Sequence, residues 1–189
     1  MSYDRVVSDY EAKRRLMCAI AFAAERHANQ KRKYTGEPYL NHPIRVMKRV
    51  QSDCRCCDDQ VLAAAVLHDV MEDCGVTLQE LEDRFGADVA RWVDELTDKS
   101  RPEDGNRKKR KAIDNARLAT ASAVAQNIKL ADISDNCFDI AKNDPDFAKV
   151  YIREKLETIE VLGEANFTFK RAVATQLRQL LDELCAETA

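Results

Sequence analysis

Glycine and proline are scarce in this chain, five and four in 189 residues, and aromatic side chains make up only 6%. A β-sandwich needs frequent tight turns and a glycine-rich nucleotide fold needs several glycines in one loop, so both are disfavoured. A disordered chain is excluded too, because 45% of the residues are hydrophobic. A basic excess is also missing: thirty Lys and Arg against thirty-three Asp and Glu leave a net charge of −3. A general nucleic-acid binder ordinarily carries a clear positive surplus. No apolar run approaches the roughly 20 residues of a membrane span, and no charged-then-apolar leader opens the chain. The seven cysteines are odd in number and include no two CxxC motifs, which argues against a disulfide framework or a zinc ribbon and for a reducing, cytoplasmic setting. Histidine is the scarcest chemical resource, with only His27, His42 and His68. A tris-histidine zinc site would consume all three, so carboxylates are expected to share any metal.

What remains is rich in Ala, Leu, Glu, Lys and Arg, the composition of an all-α protein. At this length one domain buries roughly 70% of the surface its unfolded chain exposes, enough to hold a rigid site. The apolar spacing predicts a first helix over Asp9–Gln30, a loop from Lys31 to His42, and a second helix opened by Pro43. Asp58 starts a third, whose run Val61–Val70 is apolar on every side and therefore buried. Thr77 with Glu80 has capping-box spacing for a short helix ending at Gly86, followed by Ala87–Leu96. After a loop over Lys99–Asn106, helices are expected over Lys108–Ala119, Ser122–Ala141, from the Asp144–Pro145 cap to Leu162, and over Phe167–Cys185. The cluster Cys54, Cys56 and Cys57 reads as loop and helix packing. No interdomain linker is evident.

Three segments carry chemistry. His68-Asp69-Val70-Met71-Glu72-Asp73 places adjacent His and Asp at the end of a buried helix, where their desolvation needs a metal or strong partners. Positions i and i+4 share a helix face, so a continuing helix stacks Glu72 over His68 and Asp73 over Asp69. Tyr39-Leu40-Asn41-His42-Pro43 aims a second His from a loop-to-helix junction. Lys129-Leu130-Ala131-Asp132 puts an acid inside an apolar helix, with Asn136 one turn on. Arg26, Lys31, Arg32 and Lys33 form one local basic cluster and Arg107 to Lys111 a second, which reads as a solvated helix face.

The segments Arg32 to Pro43, His68-Asp69-x-x-Glu72-Asp73 and Lys129-Leu130-Ala131-Asp132-x-x-x-Asn136 resemble the hydrolase domain of RelA/SpoT homologues, and the short chain is most similar to the stand-alone small alarmone hydrolases. The resemblance covers about residues 10 to 165, with a C-terminal packing helix over about 167–186. It implies a single-domain, HD-type helical phosphohydrolase bundle. It further implies one divalent ion, usually Mn²⁺, held by His42, His68, Asp69 and Asp132. Glu72 and Asp73 match the catalytic acids. Arg32, Lys33, Asn136 and Tyr151 match substrate-binding positions, and His27 matches a structural first-helix position. The implied reaction removes the 3′-pyrophosphate of guanosine tetra- or pentaphosphate, leaving GDP or GTP. One of Glu72 and Asp73 would accept the proton of the attacking water.

One departure stands out: the family usually follows its Ala-Asp with Arg, where this chain has Ile133, and Asp135 adds negative charge nearby. Two alternatives therefore stay open, a related phosphohydrolase acting on an adenosine alarmone or the 2′-phosphate of NADPH, and a catalytically silent nucleotide-binding module. The expected partner is a small-molecule nucleotide, with no nucleic acid and no membrane. A homo-oligomer is compatible with the sequence.

Overall fold

A computed structural model of the chain describes residues 3–55 and 58–186; Cys56 and Cys57 lie outside the described residues. Ten α-helices follow in order: α1 (Tyr3–Arg26), α2 (Asn41–Asp53), α3 (Asp59–Leu67), α4 (Val70–Cys74), α5 (Leu78–Phe85), α6 (Ala87–Leu96), α7 (Arg107–Ala119), α8 (Ala123–Asn143), α9 (Pro145–Val161) and α10 (Phe167–Ala186). Among the described residues there is no β-strand beyond one isolated bridge between Lys31 and Pro38. The all-α expectation holds, and the boundaries fall where local chemistry sets them. Asp58 caps α3 by accepting from the Gln60 amide at 2.8 Å, and Thr77 caps α5 by accepting from Glu80 at 3.1 Å. Gly75 and Gly86, with φ of 67° and 92°, end α4 and α5 in conformations that a side chain resists.

The helices group into two compact units. The first runs to Arg32 and from Gly36 to Thr97, and so holds α1 to α6. Its centre is α3, in which Val61 to Leu67 are all buried, and α1, α2 and α6 pack around it. An apolar run without a polar face has only this solution in water. The second unit takes Lys33–Thr35 and continues from Asp98 with α7 to α10. There α8, α9 and α10 pack on one another and α7 lies against α9. Gln126 is wholly buried in that core, and its full set of bonds explains how: its amide donates to the carbonyls of Leu118 at 2.9 Å and Ala121 at 3.2 Å, and its oxygen accepts from Glu164 N–H at 2.7 Å.

Two local differences from the sequence expectation matter for the site. The second helix begins at Asn41, before Pro43, so His42 sits in its first turn. The run through Val70 is not one helix: α3 stops at Leu67, and α4 begins at Val70 after a break at His68 and Asp69. His68 Nδ1 turns back onto the Ala65 carbonyl at 2.9 Å, and Asp69 adopts φ −100°, ψ −5°. The Asp73 N–H still reaches the Asp69 carbonyl at 2.9 Å, so α4 keeps its acids one turn beyond the break.

Candidate metal centre

The first unit brings His42, His68 and Asp69 together. One donor atom from each lies within 4.8 Å of the others. His42 and His68 are buried and Asp69 is half-buried. The Asp69 Oδ2 atom is 2.9 Å from His68 Nε2 and 3.6 Å from His42 Nε2. Neighbours i and i+1 on a regular helix point about 100° apart, so the break at the end of α3 is what lets His68 and Asp69 converge. A backbone carbonyl can only accept, so His68 Nδ1 carries a hydrogen toward Ala65 and presents Nε2 toward Asp69. Two buried ring nitrogens facing one carboxylate oxygen suit a cation between them. Two imidazoles and a carboxylate form a mixed nitrogen and oxygen set suited to a divalent ion, and the donor set fits one.

Tyr39 lies in the motif before Pro43, where the sequence alone assigns it no role. Its hydroxyl donates to the same Asp69 Oδ2 at 2.7 Å, while its ring packs against His27 at 4.8 Å and His42 at 5.7 Å. Outer partners of this kind fix the direction of a metal-binding carboxylate. Removing the hydroxyl in Tyr39→Phe is expected to weaken metal retention by about 10–100-fold, with folding intact; competition with a graded chelator reads this directly. Glu37 secures the same segment. It accepts from Asn41 Nδ2 at 2.9 Å and Arg45 Nη1 at 2.8 Å, and these bonds, Asn41 foremost, hold its carboxyl below the usual range.

Glu72 and Asp73 are both exposed on α4, and Asp73 Oδ2 accepts from Gln30 Nε2 at 2.8 Å. Arg32 is buried with its guanidinium 5.9 Å from the Tyr39 ring, whereas Lys33 is exposed beside Tyr34 in the second unit. His27, expected in the first helix, lies one residue past α1 and is buried.

The other candidates belong to the second unit. Asp132 is buried on α8, where it accepts from Asn136 Nδ2 at 2.6 Å and pairs with Lys129 at 3.0 Å. Tyr151 is half-buried on α9, its ring 5.8 Å from Phe147 and 5.2 Å from the Lys155 ammonium. Lys155 had no signal in the sequence beyond its place one turn after Tyr151. Burial, with Lys129 and Lys111 nearby, brings it down to about 8. Ile133 is fully buried, so the position where the family carries Arg is here part of the core. Arg107 of the basic run grips Glu154 with two bonds of 2.9 and 2.7 Å. Cys137 is an inert core thiol, pushed up to about 12 by burial. No helix among the described residues is long and apolar enough to cross a membrane.

Comparison with known proteins follows this geometry. A family profile described as HD domain matches residues 19–187. The Danio rerio protein named guanosine-3′,5′-bis(diphosphate) 3′-pyrophosphohydrolase MESH1 is 35% identical over 171 residues, covering 89% of this chain and 93% of its own. The Homo sapiens protein of the same name is 40% identical over 133 residues, 69% of this chain and 72% of its own. The bifunctional (p)ppGpp synthase/hydrolase SpoT of Escherichia coli is 34% identical over 79% of this chain, which spans 21% of that larger protein. Among solved structures, one described as a metazoan ortholog of SpoT that hydrolyzes ppGpp aligns with a TM-score of 0.75 and 30% identity, covering 93% of this chain and 96% of that one.

Proposed function

This chain belongs to the HD-domain family, and from that premise we propose that it hydrolyses the 3′-pyrophosphate of guanosine tetra- and pentaphosphate to GDP or GTP and pyrophosphate. The observation that carries the reading is the convergence of His42, His68 and Asp69 on one point. Asp132 is assigned as the fourth ligand on its motif, and Mn²⁺ as the ion on the family resemblance, with which a mixed nitrogen and oxygen donor set agrees. A divalent ion held there supplies a water of lowered pKa and positive charge for the phosphate oxygens.

The chain's own side chains do the rest. Asp69, held by Tyr39, fixes the donor set. Glu72 and Asp73 provide the carboxylates that take the proton from the attacking water and return one to the ribose oxygen as the P–O bond breaks. Arg32 and Lys33 supply guanidinium and ammonium groups to the nucleotide, with Asn136 and Tyr151 completing its contacts. These assignments are supported by the matching motif positions. The two units are read as one hydrolase domain, supported by a family match that spans residues 19–187. A reducing cytoplasm is kept as the setting on the odd number of cysteines in the sequence.

The full chain is tested with Mn²⁺ and with chelator against guanosine tetraphosphate, its adenosine counterpart and NADPH, with products identified. GDP and pyrophosphate, formed only with the metal, are the expected result. Orthophosphate released from NADPH would reassign the substrate, and turnover of none of the three would make the protein a binding module.

A further inference from the structure

We propose that Gln30, itself oriented by His27, is a positioning residue that holds Asp73 as the proton-accepting carboxylate of this hydrolysis. The inference rests on the hydrolase reading and divides a role that the motif leaves shared between Glu72 and Asp73.

The geometry forms one directed chain within the first unit. His27 Nδ1 lies 2.6 Å from Gln30 Oε1, and Gln30 Nε2 lies 2.8 Å from Asp73 Oδ2. A carboxylate accepts, so the amide nitrogen of Gln30 must face Asp73. Its oxygen then faces the imidazole, and Nδ1 must carry a hydrogen. Each donor in the series is thereby fixed by the acceptor beyond it. His27 is well placed to anchor the chain. Its ring is 2% exposed and lies against Tyr39 at 31° with centroids 4.8 Å apart. All its polar contacts run through Nδ1, because Nε2 is buried with no hydrogen-bond partner among the described residues. Cys74 Sγ is also near Nδ1, at 3.4 Å, but its thiol donates to the Arg26 carbonyl at 3.5 Å and is a weak acceptor.

Both ends of the Gln30 amide are thus engaged, one with His27 and the other with Asp73. The Asp73 carboxylate is exposed on a five-residue helix and would otherwise rotate freely. The bridge occupies Oδ2 and leaves Oδ1, which has no partner among the described residues, to receive a proton. Asp73 and Gln30 line the same cavity, of about 460 Å³. Holding an acid within reach of its proton matters because a displacement of about 1 Å can lower a rate by about 10².

The test compares the wild-type chain with Gln30→Leu, His27→Ala and His27→Asn, all with Mn²⁺ and guanosine tetraphosphate. Gln30→Leu should lower kcat by about 10–100-fold, with KM, metal content and melting temperature near wild type. His27→Ala should fall alike, and combining it with Gln30→Leu should add little, since both break one chain. His27→Asn places an amide N–H near the Nδ1 position and should recover most of the His27→Ala loss. A wild-type kcat in Gln30→Leu, a loss appearing in KM, or equal losses for His27→Asn and His27→Ala would each overturn the proposal. Side-chain amide NMR reads the bridge without turnover: the Gln30 Nε2 proton that faces Asp73 should be shifted downfield and protected from solvent exchange, and both signatures should fall to ordinary glutamine values in Asp73→Ala. An unshifted, unprotected Gln30 amide in an active wild type would overturn the bridge, whereas an inactive wild type with a shifted, protected amide proton would overturn the hydrolase reading alone.

Discussion

Replacing Asp69 by Ala should yield a folded protein that neither retains a divalent ion nor releases pyrophosphate. Asp69 supplies the one carboxylate of the converging set, and its Oδ2 is the point that His68, His42 and the Tyr39 hydroxyl all approach. Without it, the converging set keeps two imidazoles and no carboxylate, leaving the proposed ligand Asp132 as the one anionic ligand for a 2+ charge. Metal assistance to phosphoryl chemistry contributes several kcal/mol, so a loss of about 4 kcal/mol, or roughly 10³-fold in kcat/KM, is the minimum expected. The fold should tolerate the change. Tyr39 loses the acceptor of its hydroxyl, it is half-buried, and a stranded hydroxyl costs about 1–3 kcal/mol. Metal content by mass spectrometry, melting temperature and pyrophosphate release separate these effects. Stoichiometric metal and undiminished turnover in Asp69→Ala would remove the proposed centre.

The parts of this centre that were legible in the sequence are those that lie in short, ordered motifs. His42 beside Pro43 and the His68-Asp69 pair could be picked out because polar groups at the edges of apolar helices need partners. The helix ends were legible for a related reason: Asp58, Thr77, Ser122 and Asp144 each cap the helix that their spacing announced. The break between α3 and α4 was not legible. It coincides with a side-chain bond from His68 to the Ala65 carbonyl, a group the backbone ladder would otherwise use, inside a run whose hydrophobic pattern continues to Val70. Periodicity senses which face is apolar and carries no information on such competition. Without that break His68 and Asp69 would diverge, so the most consequential local feature of the site is one that pattern reading misses.

Partners that meet only through tertiary packing were equally hidden. Tyr39 and Asp69 are thirty residues apart, and Gln30 and Asp73 forty-three. A half-buried Gln just after a turn and a Tyr before a helix are common enough to signal nothing by themselves. Lys155 shows the same limit from the other side. Lysine is ordinarily a surface residue, yet here α9 carries it into the core of the second unit beside the Tyr151 ring. By contrast, Ile133 where the family carries Arg was visible at once, and its complete burial gives it a meaning: that position has joined the core.

Removing both acids of α4, in Glu72→Ala combined with Asp73→Ala, should separate chemistry from metal binding. Neither side chain belongs to the converging donor set, so the ion should be retained at wild-type stoichiometry. Both are exposed on a short helix, and surface truncations of this kind shift stability by about 0.5 kcal/mol or less. Asp73 also gives up the bond from Gln30, whose amide can turn to water instead. What should disappear is the proposed acceptor of the proton from the water that attacks phosphorus. Positioned general bases contribute about 10²–10⁴-fold, so kcat should fall by that order while KM moves little. Loss of metal together with activity would make the acids part of the metal centre, and full activity would place the base elsewhere. The single variants divide the role: if the Gln30 bridge marks the base, Asp73→Asn carries most of the loss and Glu72→Gln a smaller one, whereas the reverse order would move the proton to Glu72.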